Sequence, residues 1–125
     1  MEILIFENSK QIAERLIHLI SEAVQETVFY KAGSYAEAIY FFQECCPDTV
    51  LVDLKYPNNN GVQLLKTIKA GNCETVVIAL TSDADDLSRS QWRQYGIDFI
   101  FDKYTDFEKI PGIINGIAED KHAKN

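Results

Sequence analysis

Short unbroken apolar runs alternate along this chain with longer stretches in which apolar side chains recur at helical spacing. The first kind of run suits a strand and the second an amphipathic helix. Glu2 to Phe6 reads as a strand, and Ser9 opens a helix carrying Ile12, Leu16, Leu19, Ile20 and Ala23 on one face. Thr27 to Ala32 is a second strand. Gly33 and Ser34 punctuate it, and Ser34 with Glu37 forms a capping box for a helix running to about Cys45, stopped by Pro47-Asp48. A third strand spans Thr49 to Leu54, and an Asn-rich loop leads to a short helix with Val62, Leu65 and Ile68 that ends near Gly71. Thr75 to Leu80 is a fourth strand, so continuously apolar that both of its faces are expected to be covered. Asp83 to Tyr95 is a weaker, more polar helix, Asp98 to Asp102 a fifth strand, and Phe107, Ile110, Ile113, Ile114 and Ile117 mark a last helix. Pro111, Gly112 and Gly116 lower its propensity, so it is expected to lean on tertiary packing, with room for a kink.

Five βα units in regular alternation predict an α/β fold, a three-layer, doubly wound, five-stranded parallel sheet, because right-handed crossovers leave few other solutions. The chain has 125 residues, one domain's worth, and the domain is expected over 1–121 with a short tail at 122–125. On this length, no separate effector domain is expected.

In open α/β sheets, ligands and chemistry gather at the carboxyl edge of the strands. Here that edge would carry Glu7-Asn8, Asp53, Thr81-Ser82 and Lys103 after strands one, three, four and five. Asp53 ends an apolar strand and opens into the turn-formers Leu54 to Gly61. A carboxylate nucleophile, an acid and amide pair, a hydroxyl and a lysine are the parts needed to place a phosphoryl group on an aspartate. The transferring group carries negative oxygens, so the work is positioning and neutralisation. Glu7, Asn8, Asp53 and the carbonyl of Lys55 supply oxygens suited to Mg²⁺.

Taken together, these residues resemble the response-regulator receiver domains of bacterial two-component signalling, of the stand-alone single-domain type. The likeness rests on Ile3-Leu4-Ile5-Phe6-Glu7-Asn8, on the string from Asp53 through Pro57 to Gly61, on Thr81 and on Lys103. The resemblance implies that Asp53 accepts phosphate from a histidine kinase or phosphotransfer protein, that Thr81 bonds a phosphoryl oxygen and that Lys103 ion-pairs with it. It also implies a downstream protein target, switched through the face of the fourth helix, fifth strand and last helix. Any enzymatic activity would be weak self-phosphorylation and dephosphorylation.

Several positions depart from the family's pattern. Asn8 stands where a second carboxylate usually contacts the metal, a loss worth about 1 to 3 kcal/mol of metal binding. Tyr104 replaces the proline that normally follows the lysine in a cis bond, so a trans peptide is expected. Ile100 occupies the place of an aromatic that swings inward on activation, and Ser82 that of a smaller residue. Lys55 and Asp83 would flank the path of attacking water and pair across it. These departures sustain an alternative, a pseudo-receiver that works as a phosphorylation-independent protein-interaction module.

Composition narrows the rest. Twelve basic and 19 acidic side chains leave a net charge of -7, which disfavours nucleic acid and anionic membranes as partners. No span-length apolar segment or signal peptide is visible, so the expected location is cytoplasmic. Cys45, Cys46 and Cys73 are read as reduced thiols. His18 is read as lacking an acidic or cysteine partner nearby in sequence and His122 as lying in the frayed tail, hence both as without a ligand role. A flavodoxin would need a glycine in the first loop, and a haloacid-dehalogenase-type phosphatase an Asp at position 55; neither is present.

Overall fold

The computed structural model describes residues 1–54, 60–71, 74–82 and 93–123. Its elements are β1 (Glu2–Phe6), α1 (Lys10–Ala23), β2 (Val28–Lys31), α2 (Tyr35–Cys45), β3 (Thr49–Asp53), α3 (Asn60–Ala70), β4 (Val76–Thr81) and β5 (Phe99–Asp102). A short 3₁₀ turn, Phe107–Lys109, then runs into α4 (Ile110–Ala123). The helix expected over 83–95 falls almost wholly outside the described residues, as do Lys55, Pro57, Cys73, Asp83 and Trp92.

All five strands are parallel, in the order β2-β1-β3-β4-β5. The order reverses direction at β1, so the crevice between the ends of β1 and β3 is the topological switch point. Apolar side chains alternate between the two faces of the sheet, which splits the core in two. Ile3, Ile5, Leu51, Ile78 and Leu80 pack with Leu16 and Ile20 of α1 and Ile110 and Ile114 of α4. Leu4, Phe6, Val50, Val52, Val77 and Ala79 pack with Phe42 of α2 and Leu64, Leu65 and Ile68 of α3. Strand β4 is covered on both sides, as its unbroken apolar run requires.

Local sequence explains where the helices begin. Ser9 caps α1: its hydroxyl accepts the Ile12 N–H at 3.2 Å. Ser34 accepts the Glu37 N–H at 3.1 Å, and the Glu37 carboxylate reaches back to the Gly33 N–H at 2.9 Å. Pro111 lies in the first turn of α4, where a missing N–H costs nothing. The buried Ile110, Ile114 and Ile117 dock that helix on the sheet despite its glycines.

Two smaller expectations are corrected. Cys46, in left-handed conformation at the end of α2, is disulfide-bonded, whereas Cys45 is a free, half-exposed thiol. Reduced thiols throughout therefore do not hold. His18 does have an acidic neighbour: its Nε2 lies 3.1 Å from Glu22, one turn further along α1. Both side chains are exposed, so the pair is worth only a few tenths of a kcal/mol.

Candidate functional site

Strand register builds the site. Phe6 pairs with Val52 across β1 and β3, so the next residues, Glu7 and Asp53, emerge side by side at the switch point. Asp53 pairs with Leu80, which sets Thr81 one step beyond, and Thr81 pairs with Asp102, which sets Lys103 one step beyond again. Glu7, Asp53 and Thr81 are all buried.

Lys103 crosses this edge and joins the two carboxylates. Its Nζ lies 2.7 Å from Asp53 Oδ2 and 2.8 Å from Glu7 Oε1. Burial disfavours the ammonium, but the hydrogen bonds to Asp53 and Glu7 and their charges outweigh it, so its pKa stands above the ordinary lysine value. Glu7 is pushed up instead. Its side chain is wholly enclosed, and desolvation exceeds what Lys103 and the Ser9 N–H, 3.0 Å from Oε1, return.

The other carboxylate oxygen, Glu7 Oε2, is buried and finds no hydrogen-bond partner among the described residues. A buried anionic oxygen without a donor costs several kcal/mol unless something cationic or protic meets it. A hard cation at this edge would satisfy it, and Asp53 lies on the same lysine. Asn8 is exposed and, with Glu7, Lys10 and Lys31, lines a cleft of about 300 Å³ beside the site. No group of three or more acidic, histidine or cysteine side chains placed for a metal occurs among the described residues.

Two further positions shape the edge. Gly61 opens α3 against the end of β3: a Cβ there would strike the carbonyl oxygen of Asp53 and come within 2.7 Å of Leu54 Cα. Only a bare backbone fits so close to the strand that carries the carboxylate. After Lys103 the chain turns without a cis peptide among the described residues, as Tyr104 predicts, and Tyr104 itself is 71% exposed. Ile100 is half-buried against the α2–α3 side of the core.

The sequence reading therefore brought Glu7, Asp53, Thr81 and Lys103 to one edge correctly, with Asn8 beside them. Ser9 was not singled out as a site residue: its N–H donates to Glu7, a main-chain contact signalled only by a small polar residue two positions from a site residue.

The family model for the response regulator receiver domain matches residues 3–115. This chain belongs to that family, the receiver part of response regulators in two-component signalling, in which phosphorylation and Mg²⁺ are general features. Among curated relatives it is 27% identical over 109 residues to the probable C4-dicarboxylate response regulator DctR of Priestia megaterium, covering 86% of this chain and 47% of that protein. It thus spans about half the length of the curated relatives it matches. Among solved structures, the signal receiver domain of a DNA-binding response regulator from Colwellia psychrerythraea 34H superposes with a TM-score of 0.84 at 24% identity, over 95% of this chain and 98% of that one. The Mn²⁺-bound form of response regulator Rcp1 superposes with a TM-score of 0.73 at 20% identity, over 93% and 90%.

Proposed function

We propose that this chain accepts a phosphoryl group on Asp53 from a histidine kinase or phosphotransfer protein, and that the modified domain switches a protein partner. The observation that carries the reading is the bridging of Asp53 and Glu7 by the Lys103 ammonium at the switch point of the sheet. An Asp53 oxygen attacks the phosphorus, the bond from phosphorus to the donor breaks, and the donor leaves with its electron pair. Lys103, already charged and in place, meets the growing negative charge on the phosphoryl oxygens. Thr81, buried at the end of the neighbouring strand, would bond the same oxygens, in a reaction governed by positioning.

Mg²⁺ would be held by Glu7, Asn8, Asp53 and the Lys55 carbonyl. Its bound charge would neutralise the phosphoryl oxygens. The orphaned Glu7 oxygen supports this assignment, and so does Rcp1, a structural relative whose Mn²⁺-bound form has been solved. The exposed amide of Asn8 implies weaker binding than a carboxylate would give. The domain would signal to a protein target in the cytoplasm. Its net charge of -7 favours a basic protein surface over nucleic acid or membrane.

A second reading, a pseudo-receiver that binds its partner unmodified, is favoured by one observation. Lys103 already pairs with both carboxylates in the unmodified chain. Titration with beryllofluoride, a phosphoryl mimic, separates the two. Binding that requires Mg²⁺ and disappears in Asp53→Asn supports the phosphoacceptor; no binding at saturating Mg²⁺ supports the pseudo-receiver.

A further inference from the structure

The turn that follows β5 is held by two carboxylates that take no part in the site. Five consecutive N–H groups, from Asp102 to Asp106, are all engaged. Asp106 Oδ2 accepts the Asp102 N–H at 2.9 Å, and Asp102 Oδ1 accepts both the Tyr104 N–H at 2.8 Å and the Thr105 N–H at 3.1 Å. The Asp102 carbonyl accepts the Asp106 N–H at 3.2 Å, and the Thr81 carbonyl accepts the Lys103 N–H at 2.8 Å. Lys109 Nζ, 3.1 Å from Asp106 Oδ1, steadies the second carboxylate.

Lys103 therefore leaves a backbone clamped on both sides. The clamp requires an N–H at position 104, which a proline there would abolish. Tyr104 supplies that donor while its ring stands in solvent. Fixing its Cα lowers the entropy a long lysine side chain loses in reaching two carboxylates at once, and errors of about 1 Å in catalytic placements cost up to roughly a hundredfold in rate.

We infer that Asp102, backed by Asp106, is a positioning residue for Lys103: the clamp does the work of aiming the ammonium at Asp53 and Glu7. Its consequence for phosphoryl transfer rests on the function proposed above, but its consequence for Lys103 does not.

The test uses the whole chain and two readouts. The first is acylation of native protein with a limiting amine reagent, with the Lys103 to Lys10 labelling ratio read by mass spectrometry. Lys103 is shielded and ion-paired, whereas the Lys10 side chain is 84% exposed and serves as the internal reference. Asp102→Ala should raise the ratio, because an ammonium no longer held on its two carboxylates is more accessible and more readily deprotonated. Asp102→Asn keeps the Oδ1 acceptor and should restore the parental ratio. Should Asp102→Ala prove unfolded, Asp106→Ala, which removes a single backbone acceptor from the clamp, decides in the same assay. An unchanged ratio in the folded variant overturns the inference, as does failure of Asp102→Asn to restore it.

The second readout is phosphoryl uptake from acetyl phosphate. Asp102→Ala should slow it about tenfold in the parent and change it little in a Lys103→Ala background. An equal slowing in both backgrounds also overturns the inference. If the parent takes up no phosphoryl group, the proposed function fails, and the labelling ratio still decides whether Asp102 positions Lys103.

Discussion

Lys103, Glu7 and Asp53 form an ion triad whose side chains are 11%, 0% and 8% exposed, so the charges are not relieved by water. Removing one member of such a buried set strands the others. Lys103→Ala should cost about 3 kcal/mol of unfolding free energy in Mg²⁺-free urea titrations. Glu7→Gln should cost less than about 1 kcal/mol, because desolvation already disfavours the Glu7 charge and the amide oxygen still accepts from Lys103 and Ser9. Equal losses in the two variants would mean that the triad is held by packing and not by charge. The four acceptor-side residues were legible in the sequence because each ends an apolar run on the same edge. Asp102 was not legible, since its role lies in bonds to main-chain N–H groups and exists only once the turn is formed.

At the scale of elements, the expected strands and helices within the described residues are present, although Ala23, expected on the apolar face of α1, is exposed and Phe107 lies in the 3₁₀ turn before α4. Strand ends shifted by a residue or so: β2 is Val28–Lys31 where Thr27 to Ala32 was expected, and β4 extends to Thr81. The ladder ends where neighbouring strands stop offering partners, and no local pattern encodes that. The start of α3 depends on Gly61, whose hydrogen faces the Asp53 carbonyl and the Leu54 backbone. Gly61→Ala should destabilise by about 2 kcal/mol through overpacking, measured by thermal melting, and should also weaken beryllofluoride binding because the strand end must move.

The turn after β5 makes a pH prediction. The Asp102 N–H, and then Lys109, hold Asp106 below its ordinary pKa of 3.8. A carboxyl with a lowered folded pKa contributes stability that is present above the ordinary value and lost as pH falls through the folded one. The stability gap between parent and Asp106→Asn should therefore be widest near neutral pH and close below pH 3.8. A gap independent of pH would remove the charge from the account.

Over the whole molecule, a sheet buried on both faces gives two apolar clusters that share the backbone of β1, β3 and β4. Ile78 is fully buried at the centre of one of them, and Ile78→Ala should cost about 3 to 4 kcal/mol in urea unfolding. Tyr40, 60% exposed on α2, should cost under about 0.5 kcal/mol when replaced by alanine. A small loss at Ile78 would argue that the two clusters do not behave as one cooperative core. The doubly wound class was legible from the alternation of runs alone, because parallel strands need crossovers and crossovers need helices on the faces. The disulfide at Cys46 was not legible, since an odd count of three cysteines points away from pairing.

The central claim is that Asp53 takes up a phosphoryl group. Incubation with acetyl phosphate and Mg²⁺, followed by intact mass and peptide mapping, tests it most directly. The account predicts a mass gain of one phosphoryl group, mapped to Asp53, dependent on Mg²⁺ and missing in Asp53→Asn. No gain at saturating Mg²⁺, or the same gain in Asp53→Asn, would contradict it.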